Sequence, residues 1–232
     1  MVAFDAKEPV GVLIGCKRPP HTHVLRIAVH PDQLRKGHGR HMLTSLSAKL
    51  AILGPPKLVA ELGAENAPAR ALLSACGWRE ERTYVDLVCD SLAASPAPPG
   101  LVVPVTVDAL ADIALPEASA VRSWGRTRGT LLNRRERLLG LAIASGERLD
   151  ASVLYSRENG NSVTLWSLSA AEGVGGSAAL GMLLCDLAHR EPGRVVVPRI
   201  EDGEVSIDLL VSLGFTRQAE TMGVAAEAQS RA

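Results

Sequence analysis

The sequence has few of the features that mark several large classes of protein. Only seven of its 232 residues are aromatic and its formal net charge is zero, so neither base stacking nor bulk electrostatic attraction favours nucleic-acid binding. Its four cysteines have no paired short spacing and no secretory signal precedes them, which indicates reduced thiols and a cytoplasmic location. The longest uncharged stretch, 91–107, contains four prolines and therefore cannot form a membrane-spanning helix.

The same proline-rich stretch is the clearest change of composition along the chain. A segment that can neither continue a helix nor donate to a strand ladder is suited to be a linker. We therefore predict a linker at 93–100 that separates a first domain, 1–92, from a second domain, 101–232. Two domains agree with the length, since one ordinary domain contains roughly 150 residues.

Strand and helix patterns alternate in both predicted domains, which indicates an α/β fold of the α+β type with mixed sheets. In the first domain, strands are predicted at 10–16, 23–29, 57–62 and 81–89, and helices at 38–53 and 66–76. The second of these helices begins at the N-cap Asn66 and ends before Gly77. In the second domain, strands are predicted at 101–106, 138–144, 150–156 and 162–169, and a helix at 107–120.

The two domains show an internal repeat. The segment LLSACGW (72–78) matches LLVSLGF (209–215), and KLVA (57–60) falls on RVVV (194–197) at the same offset of 137 residues. Gly37 falls on Gly176 once a gap of two residues is allowed. The repeat predicts two copies of one unit, although short α/β segments of unrelated origin can also look alike at this level.

A basic turn with two glycines precedes the first helix. Between Lys17 and His41, six Lys and Arg residues face one acidic residue, Asp32, and Gly37 and Gly39 let an anion approach the main chain. The first N–H groups of a helix have no internal partner, and the helix dipole adds positive charge there. The turn therefore favours a phosphate or pyrophosphate, while a plain turn with solvated cations remains the alternative.

Two other kinds of site fit this region less well. A dinucleotide site would use the G-x-G pattern with Glu61 as the ribose-binding acid, but Met42 stands where a third small residue belongs and eight positions separate Val29 from Gly37. A metal site would use the pairs His21/His23 and His38/His41. These pairs are split between strand and helix and lack a carboxylate cluster, so no metal is predicted.

The residues around this turn resemble a known family. The segment VHPDQLRKGHGRHML (29–43) is similar to the acetyl-CoA-binding motif Q/R-x-x-G-x-G/A of the GNAT superfamily of N-acetyltransferases, and NAPARALLSACGW (66–78) is similar to its second motif. The resemblance covers roughly residues 10–90. It implies two GNAT-like mixed-sheet domains in tandem and acetyl-CoA as the acyl donor.

The resemblance also implies a set of binding residues. The pantetheine arm would lie along the main chain of Ile27, Ala28 and Val29, where the strands 25–29 and 57–62 diverge, and Asn66 would contact it. Main-chain amides would hold the pyrophosphate at Leu34, Arg35, Lys36, Gly37, His38, Gly39 and Arg40. The sequence departs from the motif at Leu34, which takes the Q/R position.

For the chemistry, the resemblance implies transfer of the acetyl group to an amine of a small molecule or a protein. His23 corresponds to the family's general base and titrates near neutrality in its ordinary state. The usual thiolate-protonating Tyr is replaced by Leu73, so Tyr84 on the following strand is the candidate acid. A non-catalytic or regulatory acyl-CoA-binding protein remains the alternative.

The two copies differ in what they retain. GNAT domains begin with roughly fifty residues that form the acceptor pocket, and the resemblance, which starts near residue 10, implies that the first copy lacks them. The second copy has them, but its turn, SAAEGVGGSAALGM (169–182), contains one Glu and no Lys or Arg, which disfavours a pyrophosphate. We therefore expect the residues that line the acceptor side of the first site to come from the second domain or from another chain, as in a homodimer.

Overall fold

The computed structural model describes residues 1–18, 20–98, 101–115 and 122–229. The chain forms two compact units. Unit 1 comprises Met1–Thr83 together with Thr221–Ala232, and unit 2 comprises Tyr84–Glu220. The end of the chain thus returns to the unit in which the chain began.

Unit 1 is a mixed sheet with two helices. Its strands are β1 (Val2–Asp5), β2 (Glu8–Arg18), β3 (His21–Val29) and β4 (Lys57–Gly63), its helices are α1 (His38–Leu53) and α2 (Ala67–Ser74), and it shares β5 (Arg79–Cys89) and β11 (Thr216–Glu227) with unit 2. The strand order within it is β1-β2-β3-β4-β11. Among the strand pairs described between β1 and β11 in this order, β3–β4 is the parallel one and the others are antiparallel.

The core of unit 1 lies between this sheet and the two helices. The amphipathic helix α1 contributes Met42, Leu43 and Leu50, and β4 contributes every second residue, Leu58, Ala60 and Leu62. This alternation follows from the pleat of a strand, which sends successive side chains to opposite faces. The other face of β4 therefore carries Val59 and Glu61.

Unit 2 repeats this plan on a larger scale. Its elements are β6 (Val102–Val105), α3 (Val107–Ala111), α4 (Arg128–Asn133), β7 (Leu139–Ser145), β8 (Arg148–Glu158), β9 (Ser162–Ala170), α5 (Val174–Arg190), β10 (Arg194–Ile200) and α6 (Ile207–Ser212). The strand order is β5-β10-β9-β8-β7-β6. Leu180, Leu183, Leu184 and Leu187 of α5 are fully buried in its core.

The predicted repeat is present, and the two copies exchange their last strands. β4 and β10 stand at an offset of 137 residues, and so do the starts of β5 and β11. However, β11 pairs with β4, with Ala226 opposite Leu58, while β5 pairs with β10, with Cys89 opposite Val195. Ala226 follows Cys89 by 137 positions, and Val195 follows Leu58 by the same number. Each unit is therefore completed by the final strand of the other repeat.

The predicted linker has no regular secondary structure, but hydrogen bonds attach it to α5. Residues 93–98 form neither helix nor strand, and 99–100 lie outside the described residues. The Ser95 amide donates to the Cys185 carbonyl at 3.1 Å, and the Ala97 amide donates to Asp186 Oδ1 at 3.0 Å. This segment is thus bound to α5 of unit 2. The domain limits 1–92 and 101–232 stay a prediction, and the packing divides the chain after Thr83 and Glu220.

The differences from the sequence analysis include β1 and α3. β1 was not predicted; it pairs with β2 at the edge of unit 1. The helix expected at 107–120 ends at Ala111, where Asp112 caps it and the next residues form a turn; residues 116–121 lie outside the described part. Among the helices described, none combines the length and the apolar character that crossing a membrane requires.

The exchanged strand predicts a stability effect. Val224 lies in the core of unit 1 on β11, opposite Ala60. Val224→Asp buries an unpaired carboxylate there, and we expect the free energy of unfolding to fall by about 3 kcal/mol in urea titrations. The control is Glu227→Ala, at the exposed end of the same strand. Equal stabilities of the two variants would contradict the packing of β11 in unit 1.

Candidate active site

The strands β3 and β4 diverge after a short parallel ladder. The paired residues run from His21 opposite Lys57 to Val24 opposite Ala60, yet β3 continues to Val29 and β4 to Gly63. We call the opening between 25–29 and 61–63 the β3–β4 fork. It confirms the divergence expected at these residues, and it leaves one edge of Ile27, Ala28 and Val29 unpaired by β4.

The connection from β3 to α1 is an eight-residue loop, 30–37. It contains a single 3₁₀ turn, Pro31–Gln33, and then two residues with left-handed backbone, Arg35 (φ 66°) and Gly37 (φ 89°). Glycine adopts this conformation without steric cost, whereas Arg35 does so at some strain. A Cβ built on Gly37 would meet no atom within 4 Å, so the space beside this residue is open.

Six consecutive amides of this loop and of the first turn of α1 point to no acceptor. The Gln33 and Leu34 amides donate to the His30 and Pro31 carbonyls at 2.9 and 3.2 Å, and the next bonded amide is that of His41, to Gly37. Within the described part of the chain, no carbonyl or side chain accepts from the amides of Arg35 to Arg40. The expectation that the Leu34 amide is available is therefore wrong, and the unbonded run begins at Arg35.

Positive charge surrounds these amides. Arg35, Lys36 and Arg40 are exposed, and the Lys36 Nζ donates to Gln33 Oε1 at 2.8 Å. The start of the 16-residue helix α1 adds its dipole. Gly39 is buried, and a Cβ there would approach Leu72 to 3.1 Å. This glycine therefore allows α1 to pack close to α2.

Asn66 begins α2, as predicted. Its Oδ1 accepts from the Ala69 amide at 3.2 Å, so the side-chain oxygen acts as the N-cap and only the side-chain NH₂ group is left for a ligand. Pro68 lies in the first turn of the helix and Gly77 (φ 80°) follows its end, which confirms the predicted start and stop signals.

His23 is buried beside a second histidine. Its exposed fraction is 3% and the ring centroids of His21 and His23 are 4.6 Å apart. Burial, and then the nearby His21 and Arg18, lower the pKa of His23 to about 3. The expectation of titration near neutrality is therefore wrong. His23 is neutral at pH 7 and a weak proton acceptor.

Glu61 lies on the same face of the sheet as His23. Val24 and Ala60 belong to the helix-side core, so their sequence neighbours His23 and Glu61 face the other side. Glu61 is the first residue of β4 beyond the ladder with β3, and it is half-buried. The sequence analysis considered it only as a ribose-binding acid; the alternation along β4 is the signal that could have placed it at the fork.

Leu73, at the position of the family's usual proton donor, and Tyr84, the candidate acid, belong to different units. Leu73 belongs to the apolar core of unit 1 and lines a cavity of about 360 Å³ with Trp78, Met222 and Val224, so it offers no proton. Tyr84 lies on β5 in unit 2 and is 2% exposed. Its assignment as the acid stays a prediction. Among the described residues, no group of three or more His, Cys, Asp or Glu side chains is arranged to hold a metal ion.

One segment of the chain matches the model of a known protein family. Residues 1–78 match the model of the acetyltransferase (GNAT) family. The sequence matches none of the curated proteins. The matched residues lie within unit 1 and include the β3–β4 fork and the turn before α1.

Solved structures extend the likeness to the whole chain. A tandem GNAT protein from the clavulanic acid biosynthesis pathway, solved without AcCoA, has a TM-score of 0.67 and 19% identity, and covers all of this chain and 83% of its own. A GCN5-related N-acetyltransferase from Sphaerobacter thermophilus has a TM-score of 0.62 and 16% identity over 96% of this chain and 78% of its own. A GCN5-related N-acetyltransferase from Anabaena variabilis ATCC 29413 has a TM-score of 0.66 and 8% identity over 98% of this chain and 62% of its own. The chain has the GNAT fold, in the tandem form.

The low pKa of His23 predicts a loss of stability in acid. The unfolded chain has the ordinary pKa of about 6.5, so below pH 6.5 it binds a proton that the folded protein takes up only near pH 3. Stability is therefore full above pH 6.5 and falls as the pH is lowered. From pH 7 to pH 5 we expect a loss of about 2 kcal/mol from this residue in urea titrations.

The variant His23→Gln removes this titration, so the drop in stability between the two pH values should shrink by that amount. The control is His41→Gln, an exposed histidine on α1, which should keep the drop of the wild-type protein. An identical pH dependence in His23→Gln and the wild-type protein would refute the assignment.

Proposed function

We propose that the protein is an acetyl-CoA-dependent N-acetyltransferase that acts on an amine of a small molecule or a protein. The observation that carries the proposal is the run of six unbonded amides from Arg35 to Arg40 at the start of α1. Such a run, in a basic turn next to a strand fork, suits a pyrophosphate at one end of a long acyl donor.

The residues present fit this donor. The amides from Arg35 to Arg40 would hold the pyrophosphate, with the exposed side chains of Arg35, Lys36 and Arg40 adding charge. The unpaired edge of Ile27, Ala28 and Val29 would accept the pantetheine amides in the manner of a ladder. The side-chain NH₂ of Asn66 is free to donate to the same arm, because its oxygen caps α2.

Acetyl transfer breaks the thioester C–S bond and forms a C–N bond, and the amine must lose a proton. We assign this proton to the Glu61 carboxylate, because Glu61 lies at the fork and the pKa of His23 is about 3. With Leu73 at the usual donor position, the thiolate can take its proton from water, since its ordinary pKa is about 8.5. Tyr84 is an alternative source.

A second candidate is a non-catalytic acyl-CoA-binding protein. Two observations favour it: the apolar Leu73 at the donor position and the weak basicity of the buried His23. Both proposals share the donor site. In either case we expect a cytoplasmic protein, since its four cysteines are free thiols; a homodimer stays a prediction.

The donor site is tested by calorimetric titration with acetyl-CoA. Replacing Arg35, Lys36 and Arg40 together by Ala removes three cations from the turn, and we expect binding about 100-fold weaker than in the wild-type protein. The matched control replaces Lys7, Lys49 and Arg79 by Ala, three exposed cations of unit 1, and should bind like the wild type. Equal affinities of the two triple variants would contradict the site.

The base is tested by release of the coenzyme thiol in the presence of a panel of amines. Glu61→Gln should lower kcat about 100-fold, with KM for acetyl-CoA little changed, because a general base acts in the transition state. His23→Gln should cost at least ten-fold less than Glu61→Gln. A larger loss of kcat in His23→Gln than in Glu61→Gln would show that His23 is the base. If no amine gives thiol release, the result favours the non-catalytic acyl-CoA-binding protein.

A further inference from the structure

Unit 2 contains a second strand fork. The parallel ladder between β9 and β10 runs from Ser162 opposite Arg194 to Thr164 opposite Val196, whereas β9 continues to Ala170 and β10 to Ile200. Since Arg194 follows Lys57 at the offset of 137, Ser162 takes the place of His21. The β9–β10 fork therefore corresponds to the β3–β4 fork of unit 1.

A side chain of the protein lies between the diverging strands of this fork. Arg126 Nη1 donates to the Leu165 carbonyl of β9 at 2.8 Å and to the Pro198 carbonyl of β10 at 3.3 Å. Leu165 is the first residue of β9 beyond the ladder. One guanidinium nitrogen thus bridges the two strands at the point where they separate.

The rest of the guanidinium group is fixed by a buried carboxylate. Arg126 Nε donates to Glu204 Oε1 at 2.7 Å, and Nη2 donates to Glu204 Oε2 at 2.8 Å. The side chains of Arg126 and Glu204 are 0% and 2% exposed. Arg122 donates to the same carboxylate at 3.1 Å. Burying these charges has a large desolvation cost, which the many hydrogen bonds offset.

The turn that follows β9 is shorter than its counterpart in unit 1. It has three residues, 171–173, where unit 1 has eight. A Cβ built on Gly176, in the first turn of α5, would lie 1.9 Å from the Ala171 carbonyl oxygen. The main chain of the loop therefore rests directly on Gly176, whereas a Cβ on Gly173 or Gly175, like one on Gly37, would meet no atom within 4 Å.

We infer that Arg126 occupies in unit 2 the place that the β3–β4 fork offers to an acyl donor, so that unit 2 contains an internal guanidinium site and binds no acyl-CoA. The chain then takes up one acetyl-CoA, in unit 1. Only this stoichiometry rests on the proposed function; the guanidinium site does not.

The guanidinium site is tested by chemical rescue. Arg126→Ala leaves Glu204 without its main partner, and we expect its Tm to fall by roughly 10 °C. Millimolar guanidinium chloride should then raise the Tm of this variant by roughly 3 °C, by refilling the site, while it leaves the wild-type protein unchanged or less stable. Urea, which is planar but uncharged, should not rescue it.

The matched control is Arg148→Ala, which removes an exposed arginine of unit 2 that pairs with Asp150; its Tm should change little, and guanidinium should not raise it. Arg126→Lys keeps the charge but cannot bridge both carbonyls and the carboxylate, so it should also lose stability without loss of folding. A Tm for Arg126→Ala or Arg126→Lys equal to that of Arg148→Ala, or no rescue by guanidinium, would overturn the inference.

The number of acetyl-CoA molecules bound per chain tests the inference independently, on the intact protein. Calorimetric titration of the wild-type protein should give one acetyl-CoA per chain, and the variant with Arg35, Lys36 and Arg40 replaced by Ala should show no second, unaffected site. Two molecules per chain would overturn the inference. If the wild-type protein binds no acetyl-CoA, the proposed function fails. The rescue of Arg126→Ala by guanidinium chloride still tests whether Arg126 fills the β9–β10 fork.

Discussion

The function proposed for this protein depends on main-chain hydrogen bonds that the fold leaves unmade. A parallel pair of strands separates after Val24 and Ala60, and the helix that follows β3 begins with amides that have no carbonyl to reach. Unsatisfied donors are costly when buried and inexpensive when they face water or an anion. The open loop around Gly37 keeps them accessible, and the local positive charge of Arg35, Lys36 and Arg40 favours an anion there.

The second unit shows another solution to the same constraint. Its strands also separate, but the carbonyls of Leu165 and Pro198 receive the guanidinium of Arg126, and a short loop lies on the start of its helix. The two repeats thus share a topology and differ in what completes it: an open, basic loop in one and an internal ion pair in the other. A fork that is filled by the protein's own side chain contributes stability rather than a binding site.

The sequence predicted the features that depend on local pattern. Helix α1 was predicted at 38–53, where it lies, because apolar residues recur on one face of this segment; Asn66 was predicted as a cap, and the 137-residue offset revealed the repeat. Strand partners are not a local property. Nothing in the pattern of β11 shows that it pairs with β4 rather than within its own repeat, and nothing around Arg126 shows that its charge is buried. The pKa of His23 likewise depends on tertiary burial, so its ordinary value near neutrality was misleading.

The central claim is that acetyl-CoA binds to the amides of residues 35 to 40. It is tested most directly by following backbone amide resonances of the isotope-labelled protein while acetyl-CoA is added. We predict saturable shifts that are largest at Arg35 to Arg40 and at Ile27 to Val29, with residues 171–176 of the second unit unaffected. Saturable binding that leaves the resonances of 35 to 40 in place, or that shifts those of 171–176 instead, would contradict the account.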